Sequence, residues 1–418
     1  MLITGNVPAS IQQVISQLNS HFSLKDLGEV SLFLGVEVVK TTDNGLRLSQ
    51  SNYIKDLLKR ASITEAKGCP TPMVTNCELS KYTSDPISDP KLYRSVVGAL
   101  QYTTITRPDI NFAVNKVIQY MESPLDTHWR AVKRILRYLS GTLDYEIQLH
   151  ISNGDISAFS DSDWAADVDD RRSTTGVHAY HGRNLISWCV KKQTVVERSS
   201  TEAEYRSLAQ AASEVAWLTS LLNELRIKKR DAPVIWVDNL SAIALASNPV
   251  LHARTKHIEL DMHFVRDKVL NNELELRHVP TKDQIADIFT KPLSHQSFVK
   301  LRERLGLVSL ASLGLRGRVR SGCRNDQVKI SLINQADDLI KSWVIKRDDL
   351  IKSWVIKRDD LIKPVIKRDD LIKRVEGDVL INQVLLFEKS GDVHTRGKAS
   401  ENSQQDISHE PTPHELSS

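Results

Sequence analysis

The chain has 418 residues, 26% charged and 40% hydrophobic, with a formal net charge of +4, a balance that fits two or three globular domains and lends nucleic-acid binding only weak support. Four scattered cysteines (Cys69, Cys77, Cys189 and Cys323) give neither a disulfide framework nor zinc-ligand spacing, and no glycine motif for a nucleotide cofactor appears. With no long apolar run and no secretory leader pattern, the expectation is an intracellular protein, cytoplasmic or nuclear, not secreted and without membrane contact.

Ile11, Val14, Ile15 and Leu18 keep the spacing of an amphipathic helix, with Ser10 and Gln13 as a candidate capping box. VSLFLGVEVVK and LRLSQ, separated by TTDNG, predict two strands around a turn, and Ser51 to Arg60 a short helix. A proline-rich connector runs from Cys69 to Pro90. Ile110, Ala113, Val114, Val117, Ile118 and Met121 form one helical stripe; Trp129, Val132, Ile135, Leu136 and Leu139 form another.

After residue 150 the pattern changes. Ile156 to Asp161, Gly176 to His181 and Leu185 to Val196 predict an antiparallel meander, followed by a long helix from Glu202 to Leu225. Val234 to Asp238 reads as a short buried strand. A helix from Asn239, a longer one from His257, a strand from Leu274 to Val279 and a final helix from Lys282 complete the run. Strands first, then strands interleaved with helices, predict a mixed α/β sheet. Residues 337–374 repeat DDLIKSWVIKR twice, then DDLIKPVIKR and DDLIKR. An 11-residue period suits a right-handed supercoil, but Pro364 interrupts it, and the identity of the first units points to duplicated DNA. From about Glu388 the chain is polar and expected to be disordered.

Four carboxylates stand at the ends of separate elements: Asp161 in AFSDSDWA, Glu204 in SSTEAEYRSLA, Asp238 in VIWVDNLSAIALA and Asp287 in VPTKDQIADIFTKPL. Brought together, such groups need cations to hold them. Two Mg²⁺ ions (or Mn²⁺) about 4 Å apart would clamp a phosphodiester for attack by water. Spacing leaves alternatives open at each position. Asp161 and Asp163 share one face of a strand. The helix cap is either Ser199 with Glu202, or Thr201 with Glu204, and the second would consume Glu204. Asp238 could instead cap the next helix, and Asp287 could lie exposed on the second turn of a helix capped by Thr281 and Gln284. Arg171, Arg172, Lys191, Lys192, Arg254, Lys256 and His257 are candidates for a face that binds a phosphate backbone, with solvated surface as the competing reading. His278 is either a proton-transfer group or an ordinary histidine.

The ordered motifs TRPDI, SDSDWA, RRSTTG, SSTEAEY, KHIELDMHF and ADIFTKPL resemble copia-type retrotransposon Pol polyproteins over about residues 1–305. MLITGN, FSLKDLGEVSLFLGVEV, YRSVVGALQYTTITRPDINFAVNKV and HWRAVKRILRYLSGT resemble the end of the palm and the thumb side of their reverse transcriptase. The resemblance implies a reverse transcriptase C-terminal part over 1–150, a ribonuclease H-like mixed sheet with flanking helices over 151–305, and a non-family tail over 306–418. It selects Asp161 over Asp163 and favours Glu204. It thereby implies Asp161, Glu204, Asp238 and Asp287 as metal-binding catalytic residues of an Mg²⁺-dependent endonuclease that cuts the RNA strand of RNA–DNA hybrids, with other Pol fragments as further partners. In that family a Tyr-Val-Asp-Asp turn carrying the polymerase metal ligands stands just before MLITGN. The sequence begins at Met1, so no polymerase activity is expected of it alone. The alternative, from another functional class, is a non-catalytic remnant that at most binds nucleic acid.

Overall fold

A computed structural model describes residues 2–310, except 4, 6, 23–24, 65, 76, 153, 228–230 and 248–257. The expectations for the repeats at 337–374 and for the polar C-terminus lie outside the described residues. The first half runs α1 (Pro8–His21), β1 (Leu32–Phe33), β2 (Val36–Lys40), β3 (Leu46–Ser49) and α2 (Ser51–Arg60). It continues through α3 (Pro90–Thr103), α4 (Asn111–Ile118), α5 (Asp126–Ser140) and β4 (Tyr145–Leu149). The second half runs β5 (Ile156–Asp163), β6 (Thr174–His181), β7 (Asn184–Lys192), α6 (Ser200–Glu224), β8 (Val234–Val237) and α7 (Leu240–Ser247). It ends with α8 (Glu259–Leu270), β9 (Glu275–His278), α9 (His295–Arg304) and β10 (Leu307–Ser309).

Several local expectations need correction. α1 begins at Pro8 with Val7 at its cap, so Ser10 and Gln13 form no capping box there; proline at the first helical position starts the helix earlier. The run VSLFLGVEVVK is two strands, because Leu34 and Gly35 take φ of 49° and 77° and turn the chain back. α3 was not anticipated. Its Tyr93, Val96, Val97 and Leu100 carry helical spacing and are buried, and Asp89 caps it by accepting from the Leu92 amide at 2.9 Å.

Among the described residues there are two five-stranded sheets. The first has the order β1-β2-β3-β4-β10 and is antiparallel throughout, so Leu307–Ser309 returns from the far end of the fold to pair with Tyr145–Ile147. The second has the order β7-β6-β5-β8-β9. It is antiparallel from β7 to β5 and parallel from β5 through β8 to β9, and its parallel joins require crossovers, which α6 and then α7 with α8 supply. This is the ribonuclease H-like mixed sheet that the sequence led us to expect.

Both faces of that sheet are covered; strand periodicity divides them along β5 and β6, and in β7 a register shift opposite Ala179 and Tyr180 resets the alternation, so that Ile186 and Trp188 face opposite ways. Ile156, Ala158, Val177, Ala179 and Ile186 point to a core with α6, where Tyr205, Leu208, Ala212 and Val215 are buried. Tyr180, Leu185 and Trp188 belong to a second core together with Leu100, Val117 and Ile135 of the first half and Phe289, Phe298 and Leu307 near the described end. Direct bonds reinforce that packing: Trp188 Nε1 donates to Thr104 O at 3.1 Å and Asn115 Nδ2 to Val190 O at 3.0 Å. A buried pair lies beneath it. Arg107 clasps Asp109 at 3.0 and 2.8 Å, Tyr138 donates to Asp109 at 2.5 Å, and Arg302 of α9 donates to Tyr138 at 3.1 Å. No helix among the described residues is long and apolar enough to cross a membrane.

Candidate metal centre

Asp161 lies on β5, the central strand of the second sheet, and is 1% exposed. Its carbonyl accepts from Ser207 of α6 at 2.8 Å, and its carboxylate accepts from the Thr290 hydroxyl. Glu204 sits on the first turn and a half of α6. The competition for the cap resolves in its favour: Ser199 Oγ accepts from the Glu202 amide at 3.3 Å, and Glu202 turns back to accept from the Arg198 amide at 3.0 Å. Glu204 is therefore free to reach the sheet, where Oε1 accepts from the Ser162 amide at 3.2 Å while the buried Oε2 has no partner. Asp238 follows the end of β8. The side chain that caps α7 is Asn239, which accepts from the Ala242 amide at 3.0 Å, so Asp238 is not spent as a cap.

The three groups converge. One carboxylate oxygen each from Asp161, Glu204 and Asp238 lie within 4.8 Å of one another. Burial, then Asp161 and Asp238, push the Glu204 carboxyl up to about 9. Burial and then Asp161 also raise Asp238. Carboxylates forced together in this way, with a buried oxygen unsatisfied, form a hard-oxygen donor set whose charge repulsion a divalent cation would relieve. The residues present fit such a cation.

Asp287 joins the cluster indirectly, and its setting corrects an expectation. No continuous helix runs from Lys282. Thr281–Asp283 and Ile285–Phe289 are short 3₁₀ turns, and Gln284 caps the second by accepting from the Ala286 amide at 3.2 Å. Gln284 also donates to Ser160 O at 2.9 Å, which anchors the turn to β5. Gly176, opposite Asp161 on β6, makes room for it: a Cβ there would lie 2.7 Å from both Phe289 Cβ and Thr290 Cγ2. On this seat Lys291 Nζ lies 2.7 Å from Asp287 Oδ1 and 3.2 Å from Asp161 Oδ1. Burial and then Asp161 push the Asp287 carboxyl up to about 6 despite that lysine. Burial opposes the charge of Lys291, but Asp161 and Asp287 outweigh it and hold its pKa above the ordinary value.

Asp163, the competitor to Asp161, is half-buried and is not among the three clustered carboxylates. Of the basic candidates, Lys192 is taken up by Asp167 at 2.7 Å and Asp170 at 2.8 Å, and Arg172 lies 3.8 Å from Asp170. Arg171 and Lys191 are exposed, as is His278. Arg254, Lys256 and His257 lie outside the described residues. Two residues near the cluster escaped the sequence reading. Lys291 stood in the quoted ADIFTKPL, four places after Asp287, a spacing at which an ion pair is expected. Trp164, one place after Asp163, is 47% exposed with its indole nitrogen bonded to Glu197 O at 3.1 Å.

Comparison with known proteins adds four findings. Residues 1–75 match the family model described as reverse transcriptase (RNA-dependent DNA polymerase). The Pol polyprotein from transposon RE2 of Arabidopsis thaliana is 46% identical over 311 residues, which is 74% of this chain and 21% of that protein. The Pol polyprotein from transposon TNT 1-94 of Nicotiana tabacum is 36% identical over 317 residues, again 74% of this chain and 24% of that protein. The chain thus spans about a fifth to a quarter of the length of these curated relatives. Among solved structures, LC11 ribonuclease H1 in complex with RNA/DNA hybrid aligns with 32% of this chain and 93% of its own, at 13% identity and a TM-score of 0.26.

Proposed function

We propose, from the premise that this chain belongs to the copia-type retrotransposon Pol polyproteins, that its second sheet carries a ribonuclease H activity hydrolysing the RNA strand of RNA–DNA hybrids. The observation that carries this reading is the convergence of Asp161, Glu204 and Asp238, from three separate elements, to within 4.8 Å. These three, with Asp287, would hold Mg²⁺ or Mn²⁺. Bound divalent cations supply charge neutralisation at the scissile phosphate and activation of water.

The chain's own groups do the positioning. Asp161 is fixed from both sides, through its carbonyl by Ser207 and through its carboxylate by Thr290. The Ser162 amide orients Glu204 so that its unpartnered oxygen remains available to a cation. Arg171 and Lys191 are exposed and would meet the phosphate backbone, and the open face of Trp164 offers a platform for a sugar or base. Preference for RNA would come from contacts to 2′-hydroxyls across the shallow minor groove of the hybrid.

The test is cleavage of end-labelled RNA in a hybrid by the purified chain with Mg²⁺. Asp161→Asn and Asp238→Asn should each lower cleavage by about 10²-fold or more while leaving the fold intact, and Asp163→Asn should do far less. Retained cleavage in Asp161→Asn overturns the assignment. Hybrid binding without cleavage by the unmodified chain would turn the reading to a nucleic-acid-binding remnant.

A further inference from the structure

We propose that the Lys291 ammonium is a built-in counter-cation that occupies the second of two cation positions and has to leave before that position fills. The inference rests on the metal-centre reading above and adds the order in which the centre loads.

The two positions differ in the structure. Asp161, Glu204 and Asp238 bring their oxygens together without Asp287, and one Glu204 oxygen is left unpartnered. That is the first position. The Asp287 carboxylate is tied to the same set by Lys291, whose Nζ stands 2.7 Å from Asp287 Oδ1 and 3.2 Å from each carboxylate oxygen of Asp161. An ammonium between two carboxylates has the sign and the oxygen partners of a small metal ion, but half the charge of a divalent one and no capacity to bind water as a Lewis acid. It stabilises the metal-free cluster and leaves it inert.

Local structure makes this placement specific. The Lys291 amide donates to Asp287 O at 2.9 Å, so the lysine and its carboxylate partner share one turn. The preceding residue, Thr290, ties that turn to Asp161. The ammonium is therefore held where the second position should be. Its exit is also built in: the Lys291 side chain is 33% exposed, on a four-carbon stem that can swing to solvent. Asp163 and Lys116 border the same charge field: burial raises the Asp163 carboxyl against the pull of both lysines, and burial lowers the Lys116 ammonium against Asp167 and Asp163. The first cation should meet less competition, because Lys291 touches only Asp161 of its three ligands, whereas the second should require Lys291 to leave.

The full chain, stripped with EDTA, is titrated with Mn²⁺, and the free ion is read by electron paramagnetic resonance. Melting is followed in EDTA and with Mg²⁺. The unmodified chain should bind one Mn²⁺ more tightly than a second. Lys291→Met should bind the second about tenfold tighter or more, melt lower in EDTA and gain more from Mg²⁺. Lys291→Arg should keep the second ion weak, and Lys291→Gln repeats the test should the methionine variant fail to fold. A second affinity that is unchanged or weaker in Lys291→Met overturns the inference while leaving the metal centre standing. No Mn²⁺ binding by either chain overturns the metal centre, and the inference with it.

Discussion

Gly176→Ala perturbs the proposed centre through packing alone, without altering any carboxylate. The added Cβ would stand 2.7 Å from Phe289 Cβ, 2.7 Å from Thr290 Cγ2 and 3.2 Å from Ala286 O. Favourable carbon contacts begin at about 3.5 Å, so the turn at Ile285–Phe289 must retreat by roughly 0.8 Å or β6 must bend. Overpacking of this kind costs about 1–3 kcal/mol. Alanine in place of a strand glycine returns about 0.5–1 kcal/mol. The net loss is on the order of 1–2 kcal/mol, which leaves the protein folded. Cleavage should suffer more. The displaced turn leads directly into Thr290 and Lys291 and carries Asp287, and a misplacement near 1 Å can cost about 10²-fold in rate. Urea denaturation in EDTA measures the first effect, and hybrid cleavage with Mg²⁺ measures the second. A variant with unchanged stability and unchanged cleavage would refute the seating of this turn on Gly176.

Three further substitutions test separate parts of the argument. Glu202→Gln should keep cleavage within about twofold, because glutamine still accepts from the Arg198 amide; a loss comparable to that of Asp161→Asn would move the catalytic glutamate to position 202. Asp109→Asn strips the charge partner from Arg107 where both side chains are at most 1% exposed, and should lower stability in urea by about 3–5 kcal/mol; a loss under about 1 kcal/mol would mean the pair is open to solvent. His178 is fully buried among Phe159, Tyr180 and Phe289, neither ring nitrogen has a hydrogen-bond partner, and burial pushes its pKa down to about 3. Below about pH 6.5 the unfolded chain takes up a proton that the folded one refuses, so this stability is complete above about pH 6.5 and drains away toward pH 3, with about 2 kcal/mol gone at pH 5. His178→Phe should flatten that part of the stability profile, and an unchanged slope between pH 6.5 and 5 would show that another group carries it.

Elements governed by neighbours in sequence were legible from the residues. α2 spans Ser51–Arg60, the bounds expected of it, and β5, β6 and β7 follow in the anticipated order. α6 covers the expected Glu202 to Leu225 but for its last residue, and it buries Leu208, Ala211, Ala212, Val215, Leu218, Leu221 and Leu222 at helical spacing. The list of four acidic candidates was legible too, through the motifs that hold them. Which of them is left free by its local cap was not, because spacing alone could not decide which side chain is consumed there. Tertiary structure decided it: Ser199 with Glu202 releases Glu204, and Asn239 releases Asp238. It also replaced an expected helix at Asp287 with a 3₁₀ turn, since the room beside Gly176 and the bond from Gln284 to Ser160 O belong to other strands. Lys291 and β10 show the same limit. The lysine's partner at i−4 could be read along the chain, but its contact with Asp161, 130 residues away, could not. Three residues at Leu307–Ser309 carry too little pattern to announce a strand, and only the open edge of β4 gives them one. Periodicity fixes which face of an element is buried; crossovers and packing fix which distant faces meet, and the proposed chemistry depends on the second.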